Sequence, residues 1–331
     1  MSRKLTRTTL VFSIVQLLFL ISSCSDTPEI HYRYSNGEEI RDSLSVKLLH
    51  RQLKLKFPEL DTTQSLDVKT FLDWDLKGEL DGLIQQTGEH RIPTMLVMDN
   101  ETGKIVYSKN SRELAADTRR IGNTKLFGML LSFEEGVKLS DTFSWVGKQS
   151  KREYARNIAS LYRITPPSTD YTYPFDEYSC LQWAKFMDRI AVRYDDSVCF
   201  AGYPRFFSVS LMDLVKTCSL IQRNGSVTGI HLLDVVTDEE GMESRLGIPS
   251  GFVLRPESCI SVKKVLQPVR ASKSIEFCYR FSVGMGRETR RGIIMVTQTH
   301  TIGFLSDSDS LGAPVFKNAF LEQLGQAVIR K

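Results

Sequence analysis

The residues that could do chemistry begin at Lys125, the first position of an apolar run, Lys125–Glu135 (KLFGMLLSFEE), that closes on Gly136. A lysine at the head of a buried helix is partly desolvated, which favours its neutral form and makes it a base. A hydroxyl three residues earlier would lie one turn away on the same face, placed for activation. That position is Gly122, which has no side chain and cannot attack anything. Thr124, the nearest hydroxyl, sits one position before Lys125 and points to a different face. Metal chemistry has less to build on. The five histidines are scattered and no cysteine pair has metal-type C-x-x-C spacing, so neither a metal nor a cofactor is expected.

Stepping outward, the elements that must hold Lys125 are legible from periodicity. Helical spacing marks a stretch around Leu44–Leu55, then Leu72–Gln86, the buried Lys125–Glu135, Cys180–Ala191, Leu211–Gln222 and a closing helix over Pro314–Val328. Pro93–Asp99 and Lys104–Ser108 read as strands joined by a turn ending at Gly103. Tyr279–Met285 and Gly292–Gln298 read as a second pair around a charged tip, Gly286–Arg291. Residues 140–178 are poorly periodic and suggest an irregular insertion. The expected class is α+β, an antiparallel central sheet covered by helices.

The N-terminus carries a targeting signal. Arg3, Lys4 and Arg7 precede the apolar Leu10–Ile21, too short for a comfortable membrane span and suited to a signal peptide. Ile21-Ser22-Ser23-Cys24 resembles the lipobox of bacterial lipoproteins, which implies that Cys24 is acylated and anchors the chain to a membrane. Ser25 after the cysteine favours the outer membrane of the envelope. The 43 Lys+Arg exceed the 39 Asp+Glu, but three of the 43 lie in this segment, so the remainder is close to balance. No basic stripe remains, and nucleic acid is not an expected partner. The other cysteines, Cys180, Cys199, Cys218, Cys259 and Cys278, read by default as small buried hydrophobes.

The landmarks fall in the order of the transpeptidase domain of penicillin-binding proteins, which the chain resembles over roughly residues 67–331. Asp67–Leu76 is similar to that family's opening strand and helix start, and Leu96–Val106 (LVMDNETGKIV) to its first hairpin. Phe207–Gly225 resembles a late helix ending in Asn-Gly, Leu233–Gly241 the hairpin after it, and Gly312–Phe316 the start of the last helix. The resemblance implies a β-lactamase/transpeptidase-like fold in three parts. These are a lipoprotein signal peptide (1–23), a tether with a helical lead-in (24–65) and the transpeptidase-like domain (66–331).

It also implies three motifs around one cleft: Ser-x-x-Lys, Ser-x-Asn, and Lys-Thr/Ser-Gly on a strand whose edge receives the substrate peptide. Aligned residue by residue, all three are damaged. Lys125 keeps the first lysine with Gly122 at the serine; Ser179 keeps the second serine with Leu181 at the asparagine; Lys273 and Ser274 survive in the third, with Ile275 at the glycine. The expectation is a lipid-anchored, non-catalytic homologue in peptidoglycan biology, binding an envelope protein or a stem peptide. A divergent D,D-transpeptidase or carboxypeptidase using Ser179 with Lys125 or Lys273 is the alternative, and a lipoprotein of unrelated fold a third.

Overall fold

Alternation and capping account for the elements of the computed structural model. It describes residues 29–86, 93–109, 120–121, 125–146, 153–157, 178–192, 207–227, 229–247, 251–266, 274–285, 288–306 and 318–329. From the N-terminus, β1 (Ile30–Arg33) and α1 (Ser43–Lys56) precede β2 (Leu66–Thr70) and α2 (Trp74–Gln85). The hairpin β3 (Thr94–Asp99) and β4 (Ile105–Lys109) is followed by β5 (Arg120–Ile121) and α3 (Lys125–Glu134). A separate hairpin, β6 (Thr142–Val146) and β7 (Glu153–Asn157), comes before α4 (Cys180–Arg189), β8 (Phe207–Ser208) and α5 (Leu211–Gln222). Then come β9 (Ser226–Val227), β10 (Leu233–Thr237), β11 (Glu243–Arg245), β12 (Gly251–Phe252) and α6 (Pro256–Leu266). The last elements are β13 (Ile275–Met285), β14 (Glu288–Thr297), β15 (His300–Ser306) and α7 (Asn318–Ile329).

Seven strands form one antiparallel sheet in the order β4-β3-β15-β14-β13-β5-β8. Its strands are buried on both faces, so β3 reads as a continuous apolar run rather than an alternating one. Met95 and Val97 face a cluster with Leu76 and Leu80 of α2 and Leu321 and Leu324 of α7. Leu96 and Met98 face the larger core, which holds α3, α5 and α6. The expected antiparallel central sheet covered by helices is the observed architecture.

A second sheet, β1-β2-β10-β11, pairs β1 with β2 in parallel and the rest antiparallel. Residues 30–56 therefore carry a sheet strand as well as the expected helix, and Leu48, Leu49 and Leu53 of α1 are buried in the main core. Over these residues, the segment expected as a tether with a helical lead-in packs against the main core. Asp42 caps α1, its carboxylate accepting the N–H groups of Leu44 and Ser45. The sheets are tied at His231: its N–H donates to Gly103 and its carbonyl accepts from Ile105.

Three other expectations need correcting. Within the presumed irregular insertion, β6 and β7 pair as a hairpin from Thr142↔Asn157 to Val146↔Glu153. The charged tip is shorter than expected, because β14 already begins at Glu288. Helix α6 and strand β15 are additional, and β15 is buried along its whole length.

Candidate functional site

The chain enters α3 directly from β5, and β5 pairs antiparallel with β13 through Ile121↔Val283. That register sets the helix start against the C-terminal half of β13. Lys125 is half-buried there, and burial pushes its ammonium down to about 8. One residue on, the Leu126 N–H donates to the Tyr279 hydroxyl oxygen. An N–H of the first helical turn, a group with no partner inside the helix, is thereby satisfied by the strand.

Tyr279 and Phe281 lie on the helix-facing side of β13, each 4% exposed. Their rings stack at 6.3 Å between centroids with an interplanar angle of 16°. Phe281 is opposite Gly292 of β14, where an added Cβ would sit 2.1 Å from the ring. The glycine is what lets the ring lie flat on the neighbouring strand. Between the head of α3 and this part of β13, the described residues place two aromatic side chains. Burial raises the Tyr279 hydroxyl above its ordinary range, so it stays protonated.

Two residues of the expected third motif, Ser274 and Ile275, are engaged in packing. A bulge between Ile275 and Phe277 switches the parity of β13. Phe277, Tyr279 and Phe281 face the larger core, whereas Ile275 is buried against α2 and α7. Ser274 donates to Glu322 Oε1 of α7 at 2.8 Å. Ser274 therefore directs its hydroxyl to α7, and Ile275 packs on the face of the sheet opposite to Leu126, Tyr279 and Phe281. The family-type spacing of Lys273-Ser274-Ile275 suggested otherwise because a bulge is invisible to motif matching.

Ser179 is the N-cap of α4. Its hydroxyl accepts from the Gln182 N–H at 3.3 Å and donates to Gln182 Oε1 at 3.0 Å, while Gln182 Oε1 also accepts the Ser179 N–H. This reciprocal capping box accounts for the serine without catalysis. Leu181, in the first turn, is 64% exposed. Cys24, Gly122 and Lys273 lie outside the described residues.

The opposite end of α3 holds a group that motif reading missed. The Glu134 side chain is 3% exposed, 2.9 Å from Arg189 of α4 and 3.8 Å from Arg255 just before α6. Its Oε1 also accepts the Arg255 N–H at 2.9 Å, and the Arg255 guanidinium donates to the Phe133 and Glu134 carbonyls. The helix then ends on Gly136 at φ 97°, with the Val137 N–H returning to Ser132. In the sequence only the acidic-Gly ending hinted at this; its partners are far away in the chain.

No group of three or more His, Cys, Asp or Glu suited to a metal occurs among the described residues. Cys180 is disulfide-bonded, contrary to the default reading of the cysteines, while Cys218, Cys259 and Cys278 are free.

No family model matches the chain, and no curated protein matches it. Solved structures do. The D,D-transpeptidase domain of a peptidoglycan glycosyltransferase from Eggerthella lenta aligns with TM-score 0.65 at 10% identity, covering 92% of this chain and 99% of that one. The penicillin-binding protein PonA1 from Mycobacterium tuberculosis aligns with TM-score 0.59 at 10% identity, over 86% of this chain and 90% of its own. Penicillin-binding protein A from M. tuberculosis, solved as an imipenem acyl-enzyme, gives TM-score 0.58 at 7% identity, with 92% and 90% covered. The likeness spans nearly the whole chain, and at these identities it is one of fold: α+β and transpeptidase-like.

Proposed function

We propose that this chain, which has the fold of a penicillin-binding transpeptidase domain, is a lipid-anchored protein of the bacterial envelope that binds a partner and does not transfer acyl groups. The observation that carries the proposal is the packing at the head of α3. The Tyr279–Phe281 stack and the Tyr279–Leu126 hydrogen bond occupy the strand beside Lys125, whose depressed ammonium could serve as base. Gly122 supplies no nucleophile, and covalent catalysis needs one. Ser179, the substitute nucleophile that the sequence offers, spends its hydroxyl on its own helix cap.

The Cys180 disulfide supports an oxidising compartment, in keeping with export behind the N-terminal signal and acylation at Cys24. Among the described residues no helix is long and apolar enough to cross a membrane. A protein partner fits better than a stem peptide, because the strand beside α3 offers packed aromatic rings rather than polar groups.

Labelling with a fluorescent penicillin tests the reading. No adduct is expected on the wild-type chain or on Gly122→Ser, since the strand beside Lys125 would still carry the Tyr279–Phe281 stack. An adduct lost in Ser179→Ala would establish the divergent enzyme instead. Labelling of Gly122→Ser would mean that the site is open. Incorporation of labelled palmitate, lost in Cys24→Ala, tests the anchor separately.

A further inference from the structure

The outward face of the second sheet carries charge in bands. Arg33, Lys69 and Arg245 fall on one cross-strand row through Arg33↔Lys69, Lys69↔Val235 and Val235↔Arg245. The adjacent row runs through Asp67↔Thr237 and Thr237↔Glu243. Two of the cations are neutralised by this acidic row: Arg33 Nε bonds both Asp67 oxygens at 3.0 and 2.9 Å, and Arg245 pairs with Glu243 at 3.0 Å. The Lys69 side chain, in the middle of the cationic row, takes part in no hydrogen bond or ion pair among the described residues, and neither does the Asp234 carboxylate.

Asp234 occupies that position because of a bulge. The register of β10 against β2 shifts between Leu233 and Val235, so Leu233 and Val236 face the core while Val235 turns outward. The extra residue is Asp234, which falls between the pairs Leu233↔Thr70 and Val235↔Lys69. Both line a groove of about 380 Å³ floored by Val235 and walled by the Ser35–Gly37 turn. The Arg33 guanidinium donates to the Gly37 carbonyl and so holds that wall. Three cations and three carboxylates around the groove cancel, which disfavours a polyanion or polycation and favours a ligand carrying both signs.

We infer that this groove binds short peptides with a free ammonium and a free carboxylate, the carboxylate over Lys69 and the ammonium over Asp234. The inference rests on the second sheet alone and stands or falls independently of the proposal for the head of α3.

The test is titration of the full mature chain with triglycine, followed by backbone amide shifts, with N-acetyl-triglycine and triglycine amide as probes each lacking one charge. Saturable shifts confined to β2, β10 and β11 are expected, with each blocked peptide weaker by about tenfold for the lost charge-assisted contact. Lys69→Met should erase the preference for a free carboxylate, and Asp234→Asn the preference for a free amine. Neither outward-facing change should alter the melting temperature. Absence of saturable shifts, or equal binding of a blocked peptide, would overturn the assignment without bearing on penicillin labelling.

Discussion

Removing the Glu134 carboxylate would leave Arg189 and Arg255 facing each other at the end of α3 without their shared anion. Both guanidinium groups are about half exposed, so solvent screens part of the cost. Glu134→Ala is expected to destabilise the fold by about 2–3 kcal/mol, read from urea unfolding. Lys125 gives a pH signature instead. Its folded value, about 8, lies below the ordinary 10.5. Between those values the unfolded chain holds the proton more tightly than the native one, so stability rises as pH increases through that window. Lys125→Met should flatten the rise in unfolding free energy between pH 8 and 10.5, and an unchanged slope would argue against burial of the amine.

Among the elements, the contact between α3 and β13 is the one most open to test. Tyr279→Phe keeps the ring and removes the acceptor for the Leu126 N–H, an expected loss of about 1 kcal/mol in thermal unfolding. Gly303 of β15 is more constrained, since a Cβ there would lie 2.5 Å from Val215 of α5. Gly303→Ala should therefore cost about 1–3 kcal/mol by overpacking the sheet against that helix. The same contacts explain what could be read beforehand. Helices α2 and α5 were legible from their Leu spacing and α3 from its apolar run, because their burial is written in local periodicity. Strand β15 and the polar start of β14 were not, since Gly303 interrupts one and Glu288–Arg291 carries no apolar alternation. The site suffered most: the β13 bulge reversed the face of Ile275, and Tyr279 gains its meaning only from a helix far away in sequence.

For the whole molecule, the segment before residue 66 is a matter of integrity rather than reach. Leu49 and Leu53 are 0% exposed and share a core with Val68, Leu72 and Leu233. A chain beginning at residue 66 would lose this packing and the β1 edge, at about 2–5 kcal/mol for each large buried side chain removed. It should fail to unfold cooperatively by circular dichroism, whereas a chain beginning at residue 29 should melt as the full chain does.

The second sheet also imposes an order on folding. Strand β2 finds its neighbour β10 through Asp67↔Thr237, and β10 in turn needs β11, which ends at Arg245. A chain emerging from its N-terminus must hold β1 and β2 without their other partners until most of its length has appeared. Long-range pairing of this kind is slow to close and leaves edges exposed while it waits. Until those partners arrive, the outward row of charges on those strands acts as a guard against aggregation before it can act as a binding surface.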